Sequence, residues 1–176
     1  MQCEGLFDIA PTQKSSERWE LDFSLPDQWN IGLIVGPSGS GKSTLLKEVF
    51  SLSPSFSWSE DKSILDDFPQ SLSIKEILEL LCSVGFSSPP SWLRPYRVLS
   101  NGEQFRVNLA RILAESQKLV VIDEFTSVVD RTVAQIASAA FQKSARRRNQ
   151  RAVIASCHYD ILEWLEPDWV FEPHLN

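Results

Sequence analysis

The sequence predicts an α/β fold in which helices flank a mainly parallel sheet. Apolar runs typical of buried strands alternate with segments of helical periodicity, and this alternation favours a parallel sheet covered by helices. Two of the runs end in residues suited to phosphate chemistry: residues 31–35 lead into a glycine-rich loop, and residues 118–122 lead into two acids. The carboxyl ends of parallel strands meet at one edge of a sheet, so we expect a ligand site there.

Length and composition indicate one globular domain, 1–176. The residues are 43% apolar and 23% charged, which is ordinary for a protein with a core of its own. The chain has no apolar run long enough to span a membrane, and its first residues do not resemble a secretion signal. Its three cysteines are scattered, which argues against a disulfide framework or a zinc site. We therefore expect a cytoplasmic protein that does not insert into membranes.

The first 30 residues are predicted to form a short antiparallel strand region. Residues 6–9 are a short, largely apolar run, and residues 19–25 alternate apolar and polar side chains at the period of a half-exposed strand. The polar residues 11–17 would connect the two strands.

The loop at residues 36–44 reads GPSGSGKST and has the spacing of a phosphate-binding loop. In the pattern G-x-x-x-x-G-K-[ST], backbone N–H groups surround the phosphates, the lysine reaches the terminal ones and a hydroxyl holds Mg²⁺. Its three glycines are expected to adopt positive φ and to keep side chains out of the loop. A helix should begin at about Lys42, and a serine-rich loop should complete residues 31–62. The predicted nucleotide ligands are Gly36, Ser38, Gly39, Ser40, Gly41, Lys42, Ser43 and Thr44.

A small helical region is predicted over residues 71–98. Ser73 and Glu76 have the spacing of a capping box, and apolar residues then recur at the helical period until Gly85 ends the helix. These apolar residues are Ile74, Ile77, Leu78 and Leu81. A stiff connector with three prolines follows the helix, and Ile64–Leu65 before it reads as a short strand.

Two longer helices are predicted in residues 99–176. Ser100 and Glu103 form a second capping-box pattern, and Asp130 can cap the helix that follows. The residues expected to face the core are Phe105, Leu109, Ile112 and Leu113 in the first helix, and Val133, Ile136, Ala137, Ala140 and Phe141 in the second. The arginines at 146–148 read as the cation-rich last turn of the second helix, and contact with nucleic acid stays open.

Three strands are predicted in the same part of the chain. The run at 118–124 is continuous and apolar, as expected of a central parallel strand buried on both faces. Residues 152–156 form another buried strand, and the tail offers a short helix near 160–165 and a strand at 169–171.

Two acids at the end of the 118–124 run supply the catalytic candidates. Asp123 is expected to hold Mg²⁺ together with Ser43, and Glu124 to orient or deprotonate the attacking water. Phosphoryl transfer depends mainly on positioning and charge neutralisation, so these three residues and Lys42 cover its main needs.

The order of these motifs resembles that of the ABC class of ATPases. Residues 99–104, LSNGEQ, are similar to the signature loop of that family and, as there, precede a helix upstream of the strand with two acids. Residues 127–130, SVVD, resemble the D-loop that follows the catalytic glutamate, and His158 resembles the switch histidine. The resemblance runs from Trp19 to His158, and the combined order is more specific than any single motif.

The resemblance implies a P-loop NTPase core in which ATP is sandwiched between two subunits. In this family the signature loop of one subunit covers the γ-phosphate held by the phosphate loop of its partner, in a head-to-tail dimer. Ser100 and Gly102 would therefore act in trans, where the free N–H groups of a helix start favour an anion. His158 would contact the γ-phosphate in cis, Asp130 would link the two sites, and hydrolysis would release the dimer. The partner would be a second copy or a related ATPase.

The chain also departs from the family pattern. Asn101 stands where a signature glycine is usual, and Glu103 stands where a glutamine is usual. The family glutamine that senses Mg²⁺ has no assigned counterpart; the residues near its place are Asp66, Asp67 and Gln70. The candidates for the aromatic that stacks on adenine are Phe7 and Trp19, which are equally suited to a core.

The kind of ATPase is left open by the sequence. The short helical region favours a compact member that uses ATP-driven dimerisation for a task other than transport. The alternatives are the nucleotide-binding subunit of a transporter with a separate membrane partner, an ATP-dependent binding module with slow hydrolysis, and a small-molecule kinase. The signature-like segment argues against a kinase, which needs an acceptor pocket and a basic lid.

Overall fold

A four-stranded parallel sheet organises the fold. The structure is a computed structural model that describes residues 24–53, 56–115 and 119–175. Its strands follow the order β2-β3-β1-β4, and all three pairings are parallel. The strands are β1 (Ile31–Val35), β2 (Leu119–Ile122), β3 (Arg151–Ser156) and β4 (Trp169–Phe171). The predicted parallel sheet is confirmed, and its strand ends share one edge.

Helices cover both faces of this sheet. Those of the described residues are α1 (Lys42–Val49), α2 (Ile74–Ser83), α3 (Pro89–Trp92), α4 (Asn101–Glu115), α5 (Arg131–Arg147) and α6 (Ile161–Leu165). There are two 3₁₀ helices in the described residues: Ile64–Asp67 precedes α2, and Tyr96–Val98 follows α3. Within the described ranges, no helix is both long and apolar enough to cross a membrane.

The alternation of side chains along each strand divides the core into two layers. Leu33 of β1 belongs to the larger layer, which also contains buried residues of α2, α4 and α5. Ile34 points to the other layer, where it meets Leu46 of α1 and the indoles of Trp29 and Trp169. Complete burial of such a side chain contributes about 1.5–3 kcal/mol, so both layers hold the strand ends in place.

Strand β2 departs from its predicted position. It was expected to be central, yet it lies at the edge of the described sheet, and Leu119 is 37% exposed. Ser53, in the loop after α1, occupies the free side: its backbone N–H donates to the Val121 carbonyl, and its Oγ accepts from the Val121 N–H at 2.9 Å. The two faces are buried as predicted, since Val120 and Val121 belong to opposite core layers.

Three local predictions are wrong. Residues Ile64–Leu65 begin a 3₁₀ helix instead of a strand, because Ser63 caps the turn by accepting a hydrogen bond from the Leu65 N–H. Ile74 and Ile136 are 58% and 52% exposed, so the buried faces of α2 and α5 are rotated from the expected ones. The residues that fill those faces are Ile77, Leu80 and Leu81 in α2, and Ala134, Ala137, Phe141 and Ala145 in α5.

The helix boundaries follow their sequence signals. Helix α1 begins at Lys42, and α2 has the Ser73–Glu76 capping box and ends before Gly85, whose φ is +80°. Asp130 caps α5. The predicted antiparallel strands at 6–9 and 19–25 lie outside the described residues except for Ser24 and Leu25, which are not in a strand.

Candidate active site

The phosphate loop joins β1 to α1 through two left-handed glycines. Gly39 and Gly41 have φ of +81° and +84°, a conformation that costs glycine little. Gly41 is the N-cap of α1, and its carbonyl accepts the Leu45 N–H at 2.9 Å. Gly36 differs from the prediction because its φ is not positive; a Cβ there would lie 2.9 Å from Ser40 Oγ. The side chains of Ser40 and His174 therefore restrict the space at Gly36, and its φ does not require a glycine.

Lys42 lies across the loop that it follows. Its ammonium donates to the carbonyls of Gly36 at 2.8 Å and Pro37 at 2.7 Å. An ammonium has three donors, so one remains for a further acceptor. The loop thus holds a positive charge at its mouth, beside the amino end of α1.

The acids at the end of β2 face the same cleft as the phosphate loop. The cleft has a volume of ≈ 360 Å³, and both Asp123 and Glu124 line it. The predicted residues that share it with them are Ser38, Gly39, Gly41, Lys42, Ser43 and Thr44, whereas Gly36 and Ser40 are not part of its lining. The structure therefore brings the nucleotide loop and both acids together. It adds Cys157, which the sequence reasoning did not select.

The turn after β2 has an unfavourable backbone conformation at the catalytic candidate Glu124. Glu124 has φ of +51° and Thr126 has φ of +65°, which is rare for residues other than glycine. Asp123 Oδ1 accepts the Glu124 N–H at 2.9 Å, and the Phe125 N–H donates to the Ala155 carbonyl of β3 at 2.9 Å. These contacts hold the turn, and they leave the Glu124 side chain exposed.

His158 follows β3 and lies beside the cleft. Its backbone N–H donates to Ser156 Oγ at 3.2 Å, and its Nδ1 is 3.4 Å from Thr126 Oγ1. His158 is not among the residues that line the cleft, whereas its neighbour Cys157 is. Three further residues that sequence reasoning missed belong to this group. Arg131 donates to Thr126 Oγ1 at 3.4 Å, and it pairs with Asp160.

The signature-like residues form the start of α4, away from the cleft lining of the same chain. The Ser100 N–H donates to Glu103 Oε2 at 2.9 Å, and Ser100 Oγ accepts the Glu103 N–H at 3.3 Å. The Ser100 N–H bond lowers the pKa of the Glu103 carboxyl below its usual value, and partial burial opposes it. Hydrogen bonds to the carboxylate from the hydroxyls of Ser91 and Ser100 add to the lowering. Glu103, at the position where the family has glutamine, is thus part of the helix cap.

Two other charged residues lie near the start of α4: Arg106 is within this helix, and Asp130 precedes α5. Burial lowers the pKa of the Arg106 guanidinium, although Glu103 and Asp130 oppose the shift. Asp130 Oδ1 accepts the Val133 N–H at 3.0 Å and so caps α5. The cleft lining that contains the phosphate loop does not include Ser100, Gly102 or Asp130.

Comparison with known proteins identifies the family. The model of the family described as AAA domain matches residues 27–161, and the chain is 34% identical over 152 residues to the zinc import ATP-binding protein ZnuC of Ruegeria sp.. The chain belongs to this family and is an ABC-class ATPase domain. The ZnuC match covers 74% of this chain and 59% of the relative, so the chain spans about three fifths of that protein's length.

Other similarities extend the comparison. The energy-dependent translational throttle protein EttA of Mycobacterium tuberculosis is 28% identical over 63% of this chain and 24% of its own. CbiO1 of Clostridium perfringens, part of the ABC transporter complex cbiONQ, has a TM-score of 0.63 and 21% identity over 81% of this chain and 72% of its own. The dimeric ABC transporter cassette MJ0796 has a TM-score of 0.59 and 16% identity over 86% and 84%. These structural similarities show the fold of the ABC-class ATPase domain.

The donor set of this ABC-class ATPase domain suits Mg²⁺. A serine hydroxyl at the first turn of α1 and a carboxylate at the end of β2 line one cleft, in Ser43 and Asp123. Both are hard oxygen donors, and Mg²⁺ is usually held by one or two carboxylates together with phosphate oxygens and water. The residues present therefore fit the ion.

The structure describes the residues near the place of the family glutamine, but it does not describe the candidates for the adenine-stacking aromatic. Asp67 accepts hydrogen bonds from the Ser59 N–H at 2.8 Å and the Ser59 hydroxyl at 2.6 Å, which binds it to the loop before the first 3₁₀ helix. Asp66 and Gln70 are exposed. The candidates for the adenine-stacking aromatic, Phe7 and Trp19, lie outside the described residues.

Proposed function

We propose that this ABC-class domain binds and hydrolyses Mg-ATP, and that ATP closes two such domains into a head-to-tail dimer. The observation that carries the proposal is a single cleft that contains the lysine and hydroxyl of a phosphate loop together with two acids from a neighbouring strand end. Phosphoryl transfer depends on this kind of positioning and charge neutralisation.

Each residue of the cleft has its own role in the proposed reaction. Lys42 and the loop N–H groups bind the terminal phosphates, and the positive end of α1 adds to the attraction. Ser43 and Asp123 hold Mg²⁺, which when bound neutralises charge on the phosphate oxygens. Glu124, whose exposed carboxylate faces the cleft, orients or deprotonates the attacking water.

The remaining predicted residues act around the γ-phosphate. His158 contacts it in cis from the end of β3. Ser100 and Gly102 reach it from the partner subunit, because they lie at the exposed amino end of the 15-residue helix α4 and do not line the cleft of their own chain. Asp130 caps α5 directly after the catalytic turn, and its role of linking the two ATP sites is proposed from the resemblance to the D-loop.

The partner and the process follow from the comparisons only as proposals. We propose a dimer of identical or closely related ATPase domains in the cytoplasm, working on a task other than transport. The short helical region 71–98 and the similarity to EttA support this choice. The second candidate is a transporter subunit with a separate membrane protein, which the similarity to ZnuC supports.

Nucleic acid is a weaker candidate partner. The basic cluster at 146–151 is partly used within the chain: Arg146 pairs with Asp168 at 2.9 Å, and the Arg151 guanidinium lies 5.1 Å from the Trp29 ring centre. Arg147 and Arg148 line a groove that also contains Glu76 and Glu79, so an acidic partner would meet mixed charge there.

The test measures oligomeric state and hydrolysis together. Glu124→Gln is expected to bind ATP and to lose hydrolysis by at least about a hundredfold, because it lacks the base. Size exclusion with light scattering should show that Mg-ATP doubles the mass of this variant, while the wild-type protein releases phosphate.

A second variant distinguishes ATP binding from ATP-driven dimerisation. Lys42→Ala should stay monomeric with Mg-ATP because it loses the charge that holds the phosphates. A Glu124→Gln protein that binds ATP but stays monomeric would contradict dimerisation, and unchanged phosphate release from it would contradict the catalytic role. Slow release from the wild type with intact ATP-driven dimerisation would favour the binding-module alternative.

A further inference from the structure

Thr126 occupies a costly conformation at the centre of the catalytic turn. It is 0% exposed and has φ of +65°. A β-branched residue in this region is a genuine outlier, and such strain costs about 1–3 kcal/mol. Strain of this kind persists where surrounding contacts enforce it, so the contacts of the Thr126 hydroxyl indicate what the conformation achieves.

The direction of the hydrogen bonds at Thr126 can be worked out from chemistry. Arg131 Nη1 lies 3.4 Å from Thr126 Oγ1, and a guanidinium has donors but no acceptor. The hydroxyl oxygen therefore accepts from Arg131. Its own proton needs an acceptor, since a buried donor without a partner costs about 1–3 kcal/mol, and His158 Nδ1 is 3.4 Å away.

Arg131 is held in place by independent contacts. Its Nε donates to Asp160 Oδ2 at 2.8 Å, and Nη2 donates to Asp160 Oδ1. The guanidinium carbon also lies 5.1 Å from the ring centre of Trp164. A two-pronged contact with a carboxylate restricts a guanidinium in its plane, so the nitrogen that faces Thr126 is fixed.

We propose that Thr126, oriented by Arg131 and Asp160, holds His158 as the tautomer with its proton on Nε2. The Thr126 hydroxyl donates to Nδ1, so Nδ1 is unprotonated in neutral imidazole, and Nε2 carries the hydrogen. This inference rests on the proposed role of His158, because an Nε2–H can donate to a γ-phosphate oxygen and an unprotonated Nε2 cannot. Thr126 and Arg131 are thus positioning residues for hydrolysis.

Cys157 is the other group at this nitrogen. Its sulfur lies 3.9 Å from His158 Nδ1, and a thiol is a weak donor and a weak acceptor. A Cys157→Ala variant therefore serves as a control, and it should leave the tautomer unchanged.

The tautomer can be read directly by NMR. The chain has two histidines, so long-range ¹H–¹⁵N spectra of histidine-labelled protein contain two rings, and His174→Gln assigns them. Spectra are recorded without nucleotide at pH about 8.5, above the ordinary histidine value of about 6.5. Wild type and Thr126→Ser should show His158 with Nε2 protonated. Thr126→Val, which keeps the β-branch and loses the hydroxyl, should show a mixture or the Nδ1–H form.

Hydrolysis gives the second readout. Thr126→Val should lower kcat about tenfold or more with little change in KM, as expected when one donor to the transition state is lost, and Thr126→Ser should restore it. If the valine variant does not fold, Thr126→Ala replaces it in both measurements.

The outcomes separate this inference from the proposed function. A wild-type His158 with Nδ1 protonated, or a tautomer unchanged in the variant without the hydroxyl, would overturn the inference whatever the ATPase rate. Unchanged kcat in that variant despite a changed tautomer would overturn the positioning role. Absence of hydrolysis in the wild type would contradict the proposed function and leave the tautomer result as it stands.

Discussion

Trp169 packs on Gly32 so closely that no side chain fits between β1 and the indole ring. A Cβ at Gly32 would lie 1.9 Å from Trp169 Cζ2, and both residues are in the interior of the sheet's second layer. Gly32→Ala is therefore expected to destabilise the fold by about 1–3 kcal/mol through overpacking. Urea unfolding at pH 7 measures the change.

The neighbouring indole provides the control for this prediction. In a Trp169→Phe background the ring atoms nearest Gly32 are removed, so Gly32→Ala should cost less there than in the wild type. Equal costs in the two backgrounds would show that the clash is not the cause, since a double-mutant cycle reports only the coupling of the two sites.

The spacing of residues in the sequence predicts functional residues well where they belong to one contiguous motif. The loop at 36–44 and the acid pair at 123–124 could be selected from sequence because each motif is contiguous, and the structure brings them to one cleft. The role of Gly36 was misjudged because φ depends on the path of the loop. Arg131 and Asp160 could not be paired from sequence, since they lie 29 positions apart and join only through the fold.

At the scale of elements, a comparison of two similar helix caps can distinguish the stability effect of capping from a contact with ATP. Ser73 and Ser100 each accept the N–H of a glutamate three residues on, at 3.3 Å. Alanine at either position should cost about 1 kcal/mol of stability through the lost cap. Ser100→Ala alone should also raise the ATP concentration for half-dimerisation of the Glu124→Gln protein at least about tenfold, because a hydrogen bond to a charged group contributes roughly 1.5–3 kcal/mol.

Thermal melting and light scattering measure the two effects separately. A similar loss of dimerisation in Ser73→Ala would mean that helix stability, and not contact with the γ-phosphate, is responsible. An unchanged half-dimerisation concentration in Ser100→Ala would remove Ser100 from the proposed interface.

The cap of α4 should also depend on pH. The pKa of Glu103 is lowered in the folded protein, so its contribution to stability is present above the unfolded value of about 4.3 and is lost as the pH falls through the folded value. The stability difference between wild type and Glu103→Gln should therefore be larger at pH 7 than at pH 3. Urea titrations across that range measure it, and a difference independent of pH would contradict the assignment.

Helices were easier to predict than the placement of strands. Capping boxes and apolar periodicity are local signals, and they located the starts of α2 and α4 at Ile74 and Asn101. The edge position of β2 is set by the order β2-β3-β1-β4 and by Ser53, which binds its free side from 68 positions away. Such long-range pairing has no signal in the run of residues that forms the strand.

For the whole molecule, the sequence predicted the class of fold, and the resemblance to the family predicted a dimer. The two core layers follow from alternation along β1 and β3. The amino end of α4, with Ser100, stands outside the nucleotide cleft of its own chain. In the proposed dimer a partner supplies this end of α4, and mixing experiments test that arrangement directly.

The head-to-tail arrangement predicts which pairs of inactive variants complement each other. A two-fold dimer has two sites, each with the phosphate loop and Glu124 of one subunit and Ser100 of the other. Mixed dimers of Glu124→Gln and Ser100→Arg carry both lesions in one site and leave the other intact. Equal mixing should restore about a quarter of wild-type phosphate release, since half of the dimers are mixed and each has one working site.

A second mixture is the control for complementation. Glu124 and His158 belong to the same subunit's half of each proposed site, so a mixed dimer of Glu124→Gln and His158→Ala has no intact site and should release no more phosphate than its components. No recovery in the first mixture, when both proteins fold and bind ATP, would place Ser100 in cis and overturn the sandwich. Recovery in the control would show that its two mutated residues do not belong to the same half of a site. Recovery in the first mixture alone would assign Ser100 to the partner's site, because a monomer cannot exchange the two halves.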